Sequence, residues 1–372
     1  MTTPSMRAST SPVSGDAMWS PVISRTGTCR KCLKSFPRKN EGREDQTKGK
    51  NMVSSSRDQK SRIELHPVPP YNFDLSARFF SDGDPQIQVY DGEKYIQVIR
   101  IGKLPVLASF SSTGMIEDPV VSVELETMRR LHKKEIKHAE QICISLFNLN
   151  LDLVEFYEDI SADPTLLSIT RQLRGLKIPA TESAFEALVN AIIEQQLSLE
   201  ASYSIEKRLI KTFGEELSVG SGHYYAFPTP DRLALVSLSE LHACGISLRK
   251  CEYIRDIALT IVEHRLDLES LKKEEDSSKI YRTLRSLRGI GEWSAEYILL
   301  RGMHRLDSIP AGDVGLMRAV SRYYRNGTRI SAGDVRKISR SWGKWRGLAI
   351  FYVMIAAWTN IEPDKRTGTQ DG

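Results

Sequence analysis

The sequence predicts a mainly α protein preceded by a small α+β domain with an antiparallel sheet. Three observations carry that prediction. From Ser183 onward, apolar residues recur at helical spacing almost without interruption. Between residues 87 and 125, short β-branched and aromatic runs alternate around an Asp91-Gly92 turn, as hairpins do. Inside the helical region, Leu287-Arg288-Gly289-Ile290-Gly291 forms a glycine hairpin between two helical segments.

Composition bounds the reading. The chain has 372 residues, 40% of them hydrophobic, enough for two or three packed domains. Its net charge of +5 is unevenly placed: residues 1–62 hold 13 Lys/Arg against 5 Asp/Glu, so the remainder is slightly acidic. A nucleic-acid surface on the body must therefore be a local patch rather than a global field. The five cysteines give no disulfide framework, which fits a reducing compartment. Only Cys29 and Cys32 form a CxxC, and two ligands do not make a zinc site, so no metal is expected. No four-cysteine cluster follows, so no iron–sulfur cluster is expected either. No run is long and apolar enough to span a bilayer, so the protein should be soluble and intracellular, without a membrane partner.

Residues 1–63 are rich in Ser, Thr, Lys and Arg, and are expected to be a disordered basic tail. The α+β domain should cover 64–150. It begins near Pro67 and contains the hairpin of Ile87, Val89, Tyr95, Gln97 and Ile99. Strand-like runs follow at 104–110 and 120–125, then a helix over 128–147 with Leu131, Ile136, Ile142 and Leu146 on its apolar side. The helical core should occupy 151–360. Ser183 and Glu186 read as a capping box opening a helix that closes at Glu194-Gln195-Gln196-Leu197-Ser198. The next helix stops at Gly214; Thr229 with Pro230 opens another. Ser247 caps a helix with Leu248, Cys251, Ile254, Ile257, Ala258, Ile261 and Val262 inward, which makes Cys251 a core residue. Residues 332–342 and 345–358 form the last helices, and 361–372 a disordered tail.

The glycine hairpin carries the chemistry. Gly289 and Gly291 permit a sharp turn and a close backbone approach. The helix that follows starts with unpaired N–H groups, a ready phosphate site. Twenty-two residues beyond Gly291, Pro310-Ala311-Gly312-Asp313 places Asp313 at another helix N-terminus. Taken alone, Asp313 is a helix cap. The hairpin, the spacing and the Pro-Ala-Gly-Asp loop together resemble the signature of the helix-hairpin-helix DNA glycosylase superfamily.

Within that superfamily, residues 67–360 resemble the bacterial 3-methyladenine DNA glycosylase II family. The similar stretches are Pro69-Pro70-Tyr71-Asn72-Phe73, Phe185-Glu186 through Gln195, Phe227-Pro228-Thr229-Pro230-Asp231-Arg232-Leu233, Gly289-Ile290-Gly291-Glu292-Trp293 and Trp345-Arg346. The resemblance implies two helical domains flanking a cleft and an N-terminal antiparallel sheet. It implies removal of alkylated purines from double-stranded DNA by a monomer that flips the damaged nucleotide out. Asp313 would be the catalytic carboxylate, and Phe79, Trp293, Tyr297 and Met354 would line the base pocket. Gly289, Ile290 and Gly291 would bind phosphate with Arg288 as a nearby charge. Gln195, Gln196 or Leu197 would fill the gap left by the flipped base. No cofactor is implied beyond a monovalent cation that the hairpin carbonyls could coordinate. The chain departs from the family where Gly312 precedes Asp313, where Met354 replaces a pocket tryptophan, and where Gln196 stands near the wedge position; these departures leave the base spectrum open.

Two other readings compete. An oxidised-base glycosylase with lyase activity needs a lysine two residues past the hairpin's second glycine, where this chain has Trp293. A noncatalytic DNA-binding protein using the hairpin as a clamp would not need Asp313.

Overall fold

The computed structural model describes residues 60–81 and 83–363. Cys29, Cys32 and nearly all of the expected basic tail lie outside the described residues. The first element, β1 (Lys60–Leu65), reaches into the segment read as tail. Only Ile63 and Leu65 mark it in the sequence, and it is held by register with a distant strand, Ile63 opposite Val123. Helix α1 (Phe73–Arg78) follows, its amides capped by Asn72. Then come β2 (Gln88–Tyr90), β3 (Lys94–Ile101), β4 (Leu104–Ser112) and β5 (Val121–Glu126).

These strands form one antiparallel sheet in the order β1-β5-β4-β3-β2. The β2–β3 hairpin closes at Gly92, with Tyr90 opposite Tyr95. One face buries Phe110, Val123 and Leu125 against α2 (Lys133–Leu146). Tyr95, Phe110 and Phe147 meet there with ring centroids 5.1–5.7 Å apart. Helix α2 begins later than its apolar pattern suggests. The Glu135 carboxylate accepts the His132 backbone N–H at 2.8 Å, fixing the start there, and Met128 stays exposed.

The helical body opens with two short helices, α3 (Leu153–Asp159) and α4 (Pro164–Gln172), capped by Asp152 and Asp163. Next come α5 (Ala184–Glu194) and α6 (Leu199–Phe213). Ser183 accepts the Glu186 N–H as expected, but the Glu186 carboxylate turns to the Glu182 N–H, so the capping box is only half formed. Gly214 ends α6 with φ of −66°, an extended conformation and not a left-handed cap. A small hairpin then appears, β6 (Glu216–Val219) and β7 (Gly222–Tyr225), in a region expected to be helical. Its sequence cue is short: alternating residues around Gly220-Ser221-Gly222.

The remaining helices are α7 (Pro230–Leu235), α8 (Leu238–Ala243), α9 (Leu248–Val262), α10 (Leu268–Lys272), α11 (Ser277–Ser286), α12 (Glu292–Gly302), α13 (Val314–Tyr324), α14 (Ala332–Ile338) and α15 (Arg346–Trp358). On α9, Cys251, Ile254, Ile257 and Ala258 are buried as read, while Leu248 and Val262 at the two ends are exposed. A 3₁₀ segment, Ser339–Trp345, replaces the last turn of the helix expected over 332–342. Residues 348–356 are buried throughout, and among the described residues no helix is long and apolar enough to cross a membrane. Residues 361–363 pack on the body, where Tyr323 Oη donates to the Ile361 carbonyl at 2.7 Å.

Polar contacts join the sheet domain to the helices. Arg100 on β3 pairs with Glu215 and donates to the Phe227 carbonyl. Lys177, fully buried, donates to the Val68 carbonyl at 2.8 Å and the Leu149 carbonyl at 2.7 Å.

Candidate active site and DNA clamp

The hairpin joins α11 to α12, and its two glycines differ. Gly289 has φ of +92°, and a Cβ there would lie 2.3 Å from the Tyr253 ring. Gly291 is the N-cap of α12 with an ordinary φ of −81°, and space is open around it. The first therefore serves the fold, and the second leaves room beside the α12 amides. Ile290 faces inward and is buried. Its side chain is therefore not available to a ligand at the turn.

Three features brace this turn. Gln195 Nε2 donates to the Gly289 carbonyl and to Ser294 Oγ, both at 2.9 Å. Arg285 donates to the Ile290 carbonyl at 2.7 Å. Lys250 Nζ donates to the Ile193 and Gln195 carbonyls at 2.9 and 2.7 Å, satisfying the end of α5. Gln195 is thus a brace and not a gap-filling residue. Two hairpin carbonyls, of Gly289 and Ile290, each accept a hydrogen bond, one of them from a guanidinium. Arg288 is also committed: it pairs with Glu252 at 2.8 Å and Asp256 at 3.2 Å and lies over the Tyr253 ring. It is not a free phosphate-seeking charge in this conformation.

Beyond the brace, Gln196 and Leu197 project. Gln196 has φ of +58° and is exposed; Leu197 is 40% exposed. A non-glycine residue in left-handed backbone costs on the order of 1 kcal/mol, and such strain concentrates at functional sites.

Asp313 caps α13, accepting the Leu316 N–H at 2.8 Å, and is only 7% exposed. Burial raises its carboxyl above the usual aspartate value, while the Leu316 and Gly315 amides and the Trp293 side chain, all donating to it, pull the other way. Trp293 stacks on Tyr297, ring centroids 5.6 Å apart at 25°. The Tyr297 hydroxyl donates to Glu194 Oε1 at 3.2 Å. Asp313, Trp293, Tyr297 and Glu194 therefore form a continuous path from the α13 cap to an interior cavity.

That cavity, about 80 Å³, lies between the sheet, α5, α6 and α12. Phe79 and Tyr297, two of the residues that the resemblance assigns to a base pocket, line it. Met354 does not. It sits in the helical core at 1% exposure, because α15 is buried on every side at that level. Sequence reading missed the cavity's polar lining: Glu182, Glu186, Asn190, Glu194, Glu206 and Arg301. The cue was present. Glu186, Asn190 and Glu194 recur every fourth residue on a helix otherwise apolar all round, so a polar stripe runs through the interior. Burial pushes Glu182 up to about 7 and holds Glu186 and Glu194 well above the carboxylate range, with Glu182 and Glu206 adding like-charge repulsion on Glu186 and Glu206 on Glu194.

Much of the chain is similar to known proteins. Residues 189–344 match the family model described as HhH-GPD superfamily base excision DNA repair protein. That stretch of the chain is similar to the superfamily. It is 29% identical over 290 residues to a DNA-3-methyladenine glycosylase of Bacillus subtilis, covering 76% of this chain and 94% of the relative. It is 28% identical over 179 residues to DNA-3-methyladenine glycosylase 2 of Escherichia coli, covering 48% of this chain and 60% of that protein. Among solved structures, the 3-methyladenine DNA glycosylase of Archaeoglobus fulgidus superposes with a TM-score of 0.71 at 26% identity, over 79% of this chain and 97% of that one. The matched span contains α5 from Val189, the hairpin, α12 and Asp313.

Proposed function

We propose that this protein is a monofunctional DNA glycosylase of base excision repair that removes alkylated purines from duplex DNA by hydrolysis, leaving an abasic site. The observation that carries the reading is Asp313: a carboxyl buried in a poorly solvated cleft, 22 residues past a phosphate-binding hairpin, beside stacked Trp293 and Tyr297.

The α12 amides at Gly291 hold a phosphate, which positions the duplex without reading its sequence. The exposed Gln196 and Leu197 occupy the space from which the nucleotide leaves. The base enters beside Tyr297 and Phe79. As the N-glycosidic bond lengthens, positive charge grows on the sugar. Asp313, fixed by backbone amides, opposes that charge and orients the attacking water. An alkylated purine is already cationic and is a good leaving group, so the protein needs charge stabilisation more than a strong acid.

The lyase reading fares worse. Trp293 stands where a lysine would be needed, and no lysine lies between Gly291 and Asp313. Lys250, at the hairpin's flank, is engaged by two carbonyls.

The test is single-turnover release of 3-methyladenine from a duplex by wild type and Asp313→Asn. Two unit charges about 4 Å apart at an effective dielectric near 20 interact by about 4 kcal/mol, which corresponds to roughly a thousandfold in rate. The Asn variant should bind damaged duplex and lose about that factor. Excision within a few-fold of wild type would remove Asp313 from the chemistry.

A further inference from the structure

The floor of the cavity is unusual for a pocket that should attract a cation by aromatic faces alone. Asn190 and Glu194 stand one turn apart on the same side of α5, and both line the cavity. Asn190 is 7% exposed; its Nδ2 donates to Glu206 Oε1 at 2.9 Å, and its Oδ1 has no partner. Glu194 Oε1 receives the Tyr297 hydroxyl, and Oε2 is buried with no partner. An amide oxygen and a carboxyl oxygen thus sit at the lining of one cavity with no hydrogen-bond partner, and the Arg301 side chain lines the same cavity. Buried polar atoms left in that state are costly, and a ligand that pairs with them removes the cost.

We infer that Glu194, with the Asn190–Glu206 pair beside it, is the specificity-determining element of the pocket, selecting purines that are cationic and present an exocyclic N–H edge over neutral purines. This rests on the glycosylase reading above. The groups facing Glu194 are Glu206 from α6, Tyr297 and Arg301 from α12, Asp313 at the start of α13, and Glu186 on its own helix. Burial raises the Glu194 carboxyl well above its ordinary value and so favours its neutral form. A cationic base lets it ionise: the O–H bond breaks, the proton leaves to solvent, and the carboxylate accepts the base's N–H with opposite charges paired. A neutral base meets the same group only as a neutral hydrogen-bond partner. Charge-assisted bonds are roughly twice as strong as neutral ones, and more so where water is excluded. The discrimination therefore comes from a proton exchanged for a ligand's charge, and aromatic stacking adds to it without deciding it.

The experiment compares wild type, Glu194→Gln and Glu206→Gln by single-turnover release of 3-methyladenine and of hypoxanthine from duplexes of one sequence, each rate divided by spontaneous loss of that base. The cation-to-neutral ratio should fall tenfold or more in Glu194→Gln and by a smaller factor in Glu206→Gln. A ratio within twofold of wild type in a cooperatively melting variant overturns the inference. A second measurement needs no variant. On wild type, the fixed cation 3,9-dimethyladeninium should inhibit base release at least ten times more strongly than 9-methylhypoxanthine, and equal inhibition overturns the inference. If wild type releases no base from any damaged duplex, the glycosylase reading itself has failed.

Discussion

The two hairpin glycines should respond to substitution in opposite ways. At Gly289, alanine would occupy backbone at φ +92° and set its Cβ 2.3 Å from the Tyr253 ring. The left-handed conformation costs roughly 1–2 kcal/mol. Forcing the ring aside adds roughly 1–3 kcal/mol of overpacking, and it disturbs Arg288, which lies 5.1 Å over that ring. Gly289→Ala should therefore lose roughly 2–5 kcal/mol of stability. At Gly291 the backbone is ordinary, and a Cβ added there would meet nothing within 4 Å. Gly291→Val should change stability by no more than about 1 kcal/mol, a cap-residue effect. Its branches would, however, stand where a phosphate meets the α12 amides. Losing one charge-assisted hydrogen bond of about 1.5–3 kcal/mol weakens binding by about ten- to a hundredfold. The loss should be equal for damaged and undamaged duplexes, with the salt slope shallower by about 0.9. Urea titration and fluorescence anisotropy across a salt series measure both. A stable Gly291→Val protein with wild-type affinity and slope would refute the clamp.

Four further outcomes are expected. Lys177→Met should cost about 1–3 kcal/mol in urea unfolding, because the Val68 carbonyl loses its buried donor while the Leu149 carbonyl keeps the Val68 N–H. With Glu182 at about 7 in the fold against 4.5 in the open chain, the folded state holds a proton that the unfolded state has lost. The stability from that proton is complete below about 4.5 and is lost as pH rises through about 7, so melting temperature should fall over that window and Glu182→Gln should flatten the fall. Base release should decline on acidification through the Asp313 carboxyl, with its limb above the ordinary 3.8; a limb at or below that value contradicts the burial argument. Borohydride should trap no protein–DNA adduct on an abasic duplex, and an adduct persisting in Trp293→Ala would reveal an amine nucleophile.

Most of the fold is legible in the sequence because its signals are local. Ser183, Thr229 and Asp313 cap helices with their own side chains, and the Asp91-Gly92 turn fixes its hairpin by backbone preference. The failures lie where distant partners decide. Strand β1 exists because β5, far along the chain, pairs with it, and β6–β7 is too short to show a period. In the site, Asp313 is marked by its spacing from the hairpin, whereas Phe79, Trp293 and Tyr297 are named only through what the family resemblance implies. Met354 rests on counting along a helix, which cannot tell a cavity wall from a core position. Arg288 looks free because nothing in the sequence brings Glu252 and Asp256 beside it. The polar stripe Glu186, Asn190 and Glu194 is visible, but its meaning depends on α6 and α12 closing over it.

The Gln195 brace has a mechanical side. One amide joins the Gly289 carbonyl and Ser294 to the turn that carries Gln196 and Leu197, and Lys250 locks the other end of that turn. On the proposed reading, the tip would meet the base stack and the notch would grip a phosphate, as jaws of one gauge set at a fixed gap. A duplex seated in both must take up the difference in its own shape. Intact stacking resists that distortion, and a weakened step yields to it at a cost lower by up to a few kcal/mol. The stiffness that matters for finding a lesion would then belong to the DNA, with the protein supplying the unyielding ruler against which it is measured.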